Sequence, residues 1–212
     1  MRAQPHLSPL APTPISDSQK PAKETEGEGL PQEFRAAQNE ATGQTHVAAP
    51  RSSSMPPVNE TRRLSSTVSL QLRAWQPEDP DRVQGLDRAA FGVARRRVLD
   101  LLGRQAHSAL VYEEAGGEIA GYAILRPGAR AWYLGPVVAG SAELAEPLIV
   151  ATLAQTQDRP VIWDIPDSQG VAAAWARRYG FTPQRQLTRM FLGENVQADT
   201  ARQFAIAGPE IG

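Results

Sequence analysis

Residues Val137–Thr152 read VVAGSAELAEPLIVAT. Val137 and Val138 belong to an apolar run that begins at Trp132, and Ala139-Gly140 is a turn of small residues. Ser141 can cap the helix that follows, with Leu144, Leu148, Ala151 and Thr152 at the spacing of one core-facing side. A strand passing through a short turn into a helix is a βα unit, which requires a sheet with helices packed on it. Pro147 lies inside this helical pattern, removes one backbone donor and is expected to bend the helix.

Upstream, Val68, Leu70, Leu72 and Ala74 alternate with Ser69, Gln71 and Arg73, the pattern of a half-buried strand. Asp79-Pro80 reads as an N-cap and a proline at the first helical position, with Val83, Leu86 and Ala90 following at helical spacing and Gly92 as the C-terminal cap. A second helix carries Ala94, Val98, Leu101, Leu102 and Gln105 on one face and leaves Arg95–Arg97 as a solvated face. His107 falls in an exposed loop before the hairpin of Ala109–Glu114 and Glu118–Arg126, which turns at Ala115-Gly116-Gly117. Downstream, Pro160–Ile165 is a short buried strand, and Pro166-Asp167-Ser168 leads into a helix whose inner face is Val171, Trp175 and Tyr179, ended by Gly180. A last strand is expected over 184–192, followed by a polar tail from Gly193. The order β-α-α-β-β-β-α-β-α-β predicts a mixed sheet with helices on both faces.

Composition divides the chain. Half of the 18 prolines precede Ser66, whereas Phe34 is the only aromatic residue that does. A segment so poor in apolar surface does not offset the entropy of ordering, so residues 1–66 are expected to be disordered, with Met55 an alternative start. Residues 67–212 are long enough for one domain with a proper core. The net charge is −1, with no basic stripe or polybasic arm, which argues against nucleic-acid and membrane partners. There is no cysteine, which excludes disulfides, thiolate metal ligands and Cys nucleophiles. Only His107 of three histidines lies in the expected domain, so no metal site is expected. No apolar run is long enough for a membrane helix and no secretory signal is evident, which makes the cytoplasm the expected compartment. Lysine occurs only at Lys20 and Lys23 against many arginines, a codon bias that suggests a bacterial source.

Several short motifs, EEAGGEIAGYAIL, YLGPVVA, DIPD, WARRYGF, LTRM and FAIAGPEIG, sit at the joints of this order. Together they resemble the GNAT acyl-CoA N-acyltransferase superfamily, most closely the C-terminal module of bacterial two-module members. The resemblance covers residues 67–212 and implies an α/β (α+β) fold, a mostly antiparallel twisted sheet with helices on both faces. It implies transfer of the acyl group of acetyl-CoA to an amine of a small molecule, by direct attack in a ternary complex. In that family the fourth and fifth strands splay and pantetheine enters the gap as a pseudo-strand. Gly135-Pro136 suits such a splay, because proline removes a ladder donor and glycine permits a bulge. The implied acyl-CoA residues are Leu134, Val137, Val138, Ala139, Gly140, Ser141, Ala142, Ser168 and Trp175. Tyr133, Arg126 and Arg189 line the implied acceptor side.

Two departures from the family pattern bear on chemistry. The phosphate turn lacks the R-x-x-G-x-G/A motif and carries Glu143 in the first helical turn, where a carboxylate competes with phosphate for the positive helix end. The position of the family's general-acid Tyr is Ala176, with Tyr179 one turn away as a substitute or as a core residue beside Trp175. Asp164 is the candidate base, pointing opposite to Trp163 and Ile165, with a turn-capping role beside Pro166 as the alternative. A non-catalytic ligand-binding or interface module stands as the second reading. Either predicts association, as a homodimer or otherwise, through the face left by an absent first module.

Overall fold

The computed structural model describes residues 43–49, 69–157, 159–190, 193 and 197–211. In chain order the elements are β1 (Gly43–Ala49), β2 (Leu70–Ala74), α1 (Asp79–Arg82), α2 (Gln84–Phe91) and α3 (Arg96–Gln105). They continue with β3 (Ser108–Glu114), β4 (Ile119–Pro127), β5 (Trp132–Ala139), α4 (Ala142–Leu153), β6 (Val161–Pro166), α5 (Gly170–Arg178) and β7 (Thr182–Thr188). A 3-10 turn (Thr200–Arg202) leads into β8 (Gln203–Ala205). All strands join one sheet in the order β2-β3-β4-β5-β6-β1-β7, with β8 paired to β5. Every described pairing is antiparallel except β5 with β6. The helices α1–α3 bury Val83, Phe91, Leu99 and Leu102 on one face over Tyr122 and Ile124. On the other, α4 and α5 bury Leu148, Ile149, Ala172 and Trp175 over Leu134, Trp163 and Ile165. The expected α/β fold with helices on both faces is therefore present.

Two strands lie where none was expected. β1 falls inside the segment predicted to be disordered, and the rest of residues 1–42 and 50–66 lies outside the described residues. It pairs antiparallel on both sides, His46 opposite Asp164 of β6 and opposite Arg185 of β7, with a register shift against β7 between His46 and Val47. The fold thus draws on residues before position 67. β8 falls in the tail read as polar, where Phe204–Ala207 are all buried. The last long strand ends at Thr188, and residues 191 and 192 of its expected range lie outside the description.

Helix faces shift by small rotations. Leu148 and Thr152 of α4 are buried as expected, joined by Ala145, Ile149 and Leu153 in place of Leu144 and Ala151, and the helix runs through Pro147 unbroken. In α5 the inner residues are Ala172, Trp175 and Ala176, while Val171 is 41% exposed. Leu101 of α3 is exposed, and Leu99 takes its place in the core.

Buried charges come in completed sets, as the cost of desolvating them demands. Asp79 is not the N-cap, which is Glu78; its carboxylate accepts from the Gln76 amide (2.7 Å) and from both Arg73 terminal nitrogens (2.7 and 2.9 Å). Glu113 joins this set from β3 through Arg82 and Arg73, and those two guanidinium groups hold its carboxyl below the usual carboxylate range. Arg95, expected in solvent, is buried. It makes two hydrogen bonds to Asp87 (2.7 and 3.1 Å) and lies 3.3 Å over the Phe91 ring, while the Tyr122 hydroxyl donates to the same carboxylate (2.5 Å). Burial, with the Asp87 charge beside it, raises the Tyr122 pKa well above its ordinary value.

Candidate functional site

β5 and β6 run side by side only from Trp132 to Leu134, opposite Val161 to Trp163. Beyond that point β5 turns to another partner, and an opening forms between the two strands. Its floor lies at Gly135, whose φ of +144° suits glycine alone. Its walls are the main chains of Val137 and Val138 on one side and of Asp164 on the other. The splay expected at Gly135-Pro136 is therefore present.

The opening is filled by the chain itself. β8 pairs antiparallel with β5, Ala205 opposite Val137 and Gln203 opposite Val138. On the opposite wall the Ile206 amide donates to the Asp164 carbonyl (3.0 Å). The Trp163 indole donates to the Phe204 carbonyl (2.9 Å), and the Phe204 ring stacks on Trp175 with centroids 5.9 Å apart. The Arg126 guanidinium donates to the Ala207 carbonyl and reaches Gly135 O at 3.4 Å. Burial lowers the Arg126 pKa from its ordinary value.

The candidate phosphate turn is closed differently. The Gly140 amide donates to the Ala120 carbonyl (3.0 Å), and Ser141 holds the N-cap position without a side-chain bond to the helix's main-chain amides. Glu143 is exposed, and its carboxyl is held below the usual carboxylate range by the Ser141 hydroxyl and by its own backbone N–H. A carboxylate thus stands in the first turn of the helix, where an anion would dock.

On the sheet face opposite Trp163, Asp164 is 2% exposed and hydrogen-bonds the Nδ1 atom of His46 in β1. Burial is the main influence on its carboxyl and raises it above the usual carboxylate range, against the lowering effect of His46 and Arg185. The His46 side chain, at 12% exposure, is the more accessible member of the pair. Tyr133 lies on the neighbouring strand with Arg126 5.9 Å from its ring.

The other sequence candidates are placed as follows. Leu134, Val137, Val138 and Ala139 are buried in β5, with Ser141 and Ala142 half-buried at the mouth of α4. Ser168 is exposed in the turn before α5, and Trp175 is covered by Phe204. Ala176 is buried. The Tyr179 hydroxyl donates to Glu146 on α4 (2.7 Å) and accepts from Arg178 (3.0 Å), so it is engaged between helices. Arg189 lies just past the end of β7. Asp164 is no turn cap: its side chain is bound to His46. Sequence reasoning missed His46, Gln169 and Phe204. Of these only Phe204 had a signal, the apolar FAIA run within a polar tail.

The acetyltransferase (GNAT) domain family matches residues 83–205, and the chain belongs to that family. Its fold is similar to that of an acetyltransferase-like protein of Pyrococcus horikoshii, at 20% identity and a TM-score of 0.59. That match covers 84% of this chain and 55% of the other, so this chain spans about half the length of that relative. A GCN5-related N-acetyltransferase from Sphaerobacter thermophilus follows at 17% identity and TM-score 0.51, over 74% of this chain and 54% of that one. A GNAT-family protein of Novosphingobium aromaticivorans gives 14% and 0.50, over 71% and 63%. No curated protein matches the chain. Among the described residues no helix is long and apolar enough to cross a membrane.

Proposed function

We propose that this chain is an acyltransferase module that carries the acyl group of acetyl-CoA to an amine of a small molecule. The observation behind this reading is the divergence of β5 from β6 beyond Leu134, which supports a slot for an extended thioester substrate in a chain of this family. In that slot the main-chain groups of Val137 and Val138 would hold the pantetheine arm and polarise the thioester carbonyl. The amine nitrogen attacks the carbonyl carbon, and the carbon–sulfur bond breaks. The ammonium proton passes to the His46–Asp164 pair, because Asp164 itself is too deeply buried to meet an acceptor directly. CoA leaves as the thiolate and takes its proton from solvent, since Ala176 offers none and the Tyr179 hydroxyl is engaged by Glu146. Tyr133, Arg126 and Arg189 face the acceptor in this scheme.

A second reading, a non-catalytic module of the same family, is favoured by one observation: the Val137 and Val138 ladder is already taken by β8. Isothermal titration of the full chain with acetyl-CoA and with desulfo-CoA, followed by a thiol-release assay over a panel of primary amines, separates the two. Single-site binding with amine-dependent thiol release is expected for the enzyme. Binding without release for any amine would leave the non-catalytic module.

A further inference from the structure

We infer that the opening between β5 and β6 is a strand-accepting site whose resident ligand is residues Gln203–Ala207 of this chain, and that this segment and acyl-CoA exclude one another there. The inference rests on the acyl-transfer reading above and adds to it a closed state of the same slot.

The fit is made by main-chain shape as much as by side chains. Gln203 and Ala205 pair with β5, and Ile206 donates to Asp164 of β6, so the segment bridges both walls. A Cβ built on Gly135 would come 1.9 Å from the Ile206 carbonyl oxygen. The missing side chain at Gly135 therefore makes room for the segment's backbone, an approach that any other residue would block. Phe204 is 1% exposed between Trp175 and the Trp163 indole, so the segment also fills the apolar part of the slot.

Anchors flank the segment on independent elements. Before it, the Asp199 amide donates to the Ala89 carbonyl of α2 (3.0 Å), and the Gln169 amide group donates to Thr200 O (2.9 Å) and Ala201 O (2.6 Å). Within it, the Gln203 amide group donates to Ala90 O; after it, Arg126 donates to Ala207 O. Gln169 is buried and binds the turn that leads into the segment, while the half-buried Arg126 links its last residue to Gly135 O. Addition of a strand to an exposed sheet edge uses the same main-chain groups as a pantetheine arm would. Both occupants need Val137 and Val138, so they compete. Acyl-CoA then binds only the fraction of molecules whose segment has left, which weakens its apparent affinity by that fraction.

The experiment is acetyl-CoA titration with amide hydrogen exchange on the unmodified full chain, and the same titration on Phe204→Ser. Saturating acetyl-CoA is expected to strip protection from the 204–206 amides, and Phe204→Ser to tighten acetyl-CoA binding about tenfold or more by emptying the slot. A chain ending at Arg202 should show the same gain, and a synthetic peptide of residues 199–211 added in trans should reverse it competitively. Should both variants misfold, the exchange experiment on the full chain decides alone. Equal affinity of the full chain and the folded variants, or unchanged 204–206 protection in the acetyl-CoA complex, would overturn the inference while leaving acyl transfer standing. Absence of binding to every folded form would bring down both.

Discussion

The two halves of the sheet are built in opposite ways. From β2 to β5 each strand pairs with its neighbour in sequence, and the polar groups buried beside them, Asp79 and Asp87, find arginines within eight residues. From β5 onward the ladder is completed from afar. His46 reaches Asp164 across 118 residues, Phe204 reaches Trp163 across 41, and Gln203 reaches Ala90 across 113. Closing long loops costs entropy before any contact compensates. The first half is therefore expected to behave as a cooperative core, and the second as the part that opens at lower free energy.

Four measurements would break or sharpen that contrast. The largest effect belongs to the local half. Asp87→Ala removes the carboxylate that receives Arg95 and Tyr122 inside the core, and losing one member of a buried ion pair costs about 3–5 kcal/mol. Urea unfolding should show it as a large fall in midpoint; a change below about 1 kcal/mol would place the pair on the level of a surface contact.

Next is Gly135→Ala in the distant half. The added methyl meets the Ile206 carbonyl, and φ of +144° is strained for alanine. Exchange at the 204–206 amides should quicken about tenfold or more, with β3 and β4 amides keeping their protection. Uniform acceleration through all strands would mean that the two halves unfold as one.

Asp164→Asn tests the His46 contact through pH. Burial raises the Asp164 carboxyl, so the folded state holds its proton more tightly than the unfolded chain does. The stability this group contributes is then fullest at acid pH. It declines as pH rises from the ordinary carboxylate range to the higher folded value. The variant lacks that decline, so its stability relative to the parent should increase across this window. A pH-independent difference would show that Asp164 is not perturbed.

The smallest effect is expected at Asp81. Its bonds to Arg96 (2.6 and 2.9 Å) hold its carboxyl below the ordinary range, yet both side chains are exposed. Asp81→Ala should leave the urea midpoint unmoved, and a loss comparable to that of Asp87→Ala would contradict the difference drawn between buried and exposed pairs.

What was legible follows the same divide. The hairpin at Ala115-Gly117, the C-cap at Gly92, the left-handed glycine that follows α5 at Gly180 and the strand–turn–helix around Val137–Thr152 carry their own periodicity and turn chemistry. Arg95 was misread because it sits in a run with Arg96 and Arg97, and spacing alone does not reveal the Asp87 carboxylate that draws it inward. Val171 and Ala172 exchanged places because the inner face of α5 is centred on Trp175 together with Ala172 and Ala176, a choice that the helical spacing of Val171, Trp175 and Tyr179 leaves open. In the candidate site, the splay at Gly135 was readable from a proline and a glycine. Of the residues that fill and flank it, only the apolar FAIA run left a local mark.

By its own pattern of apolar periodicity, caps and turns, the sequence determined the order of the helices and of the strands from β2 to β7 and the mixed sheet they form, while its short motifs carried the resemblance to the family. Only tertiary structure decided that GQTHVAA would lie between β6 and β7, that His46 would meet Asp164, and that FAIA would occupy the opening beside β5. Those segments are short, and their local patterns are weak. Their conformations are selected by hydrogen-bonding edges and apolar walls contributed by residues 30 to more than 100 positions away, which no local reading contains.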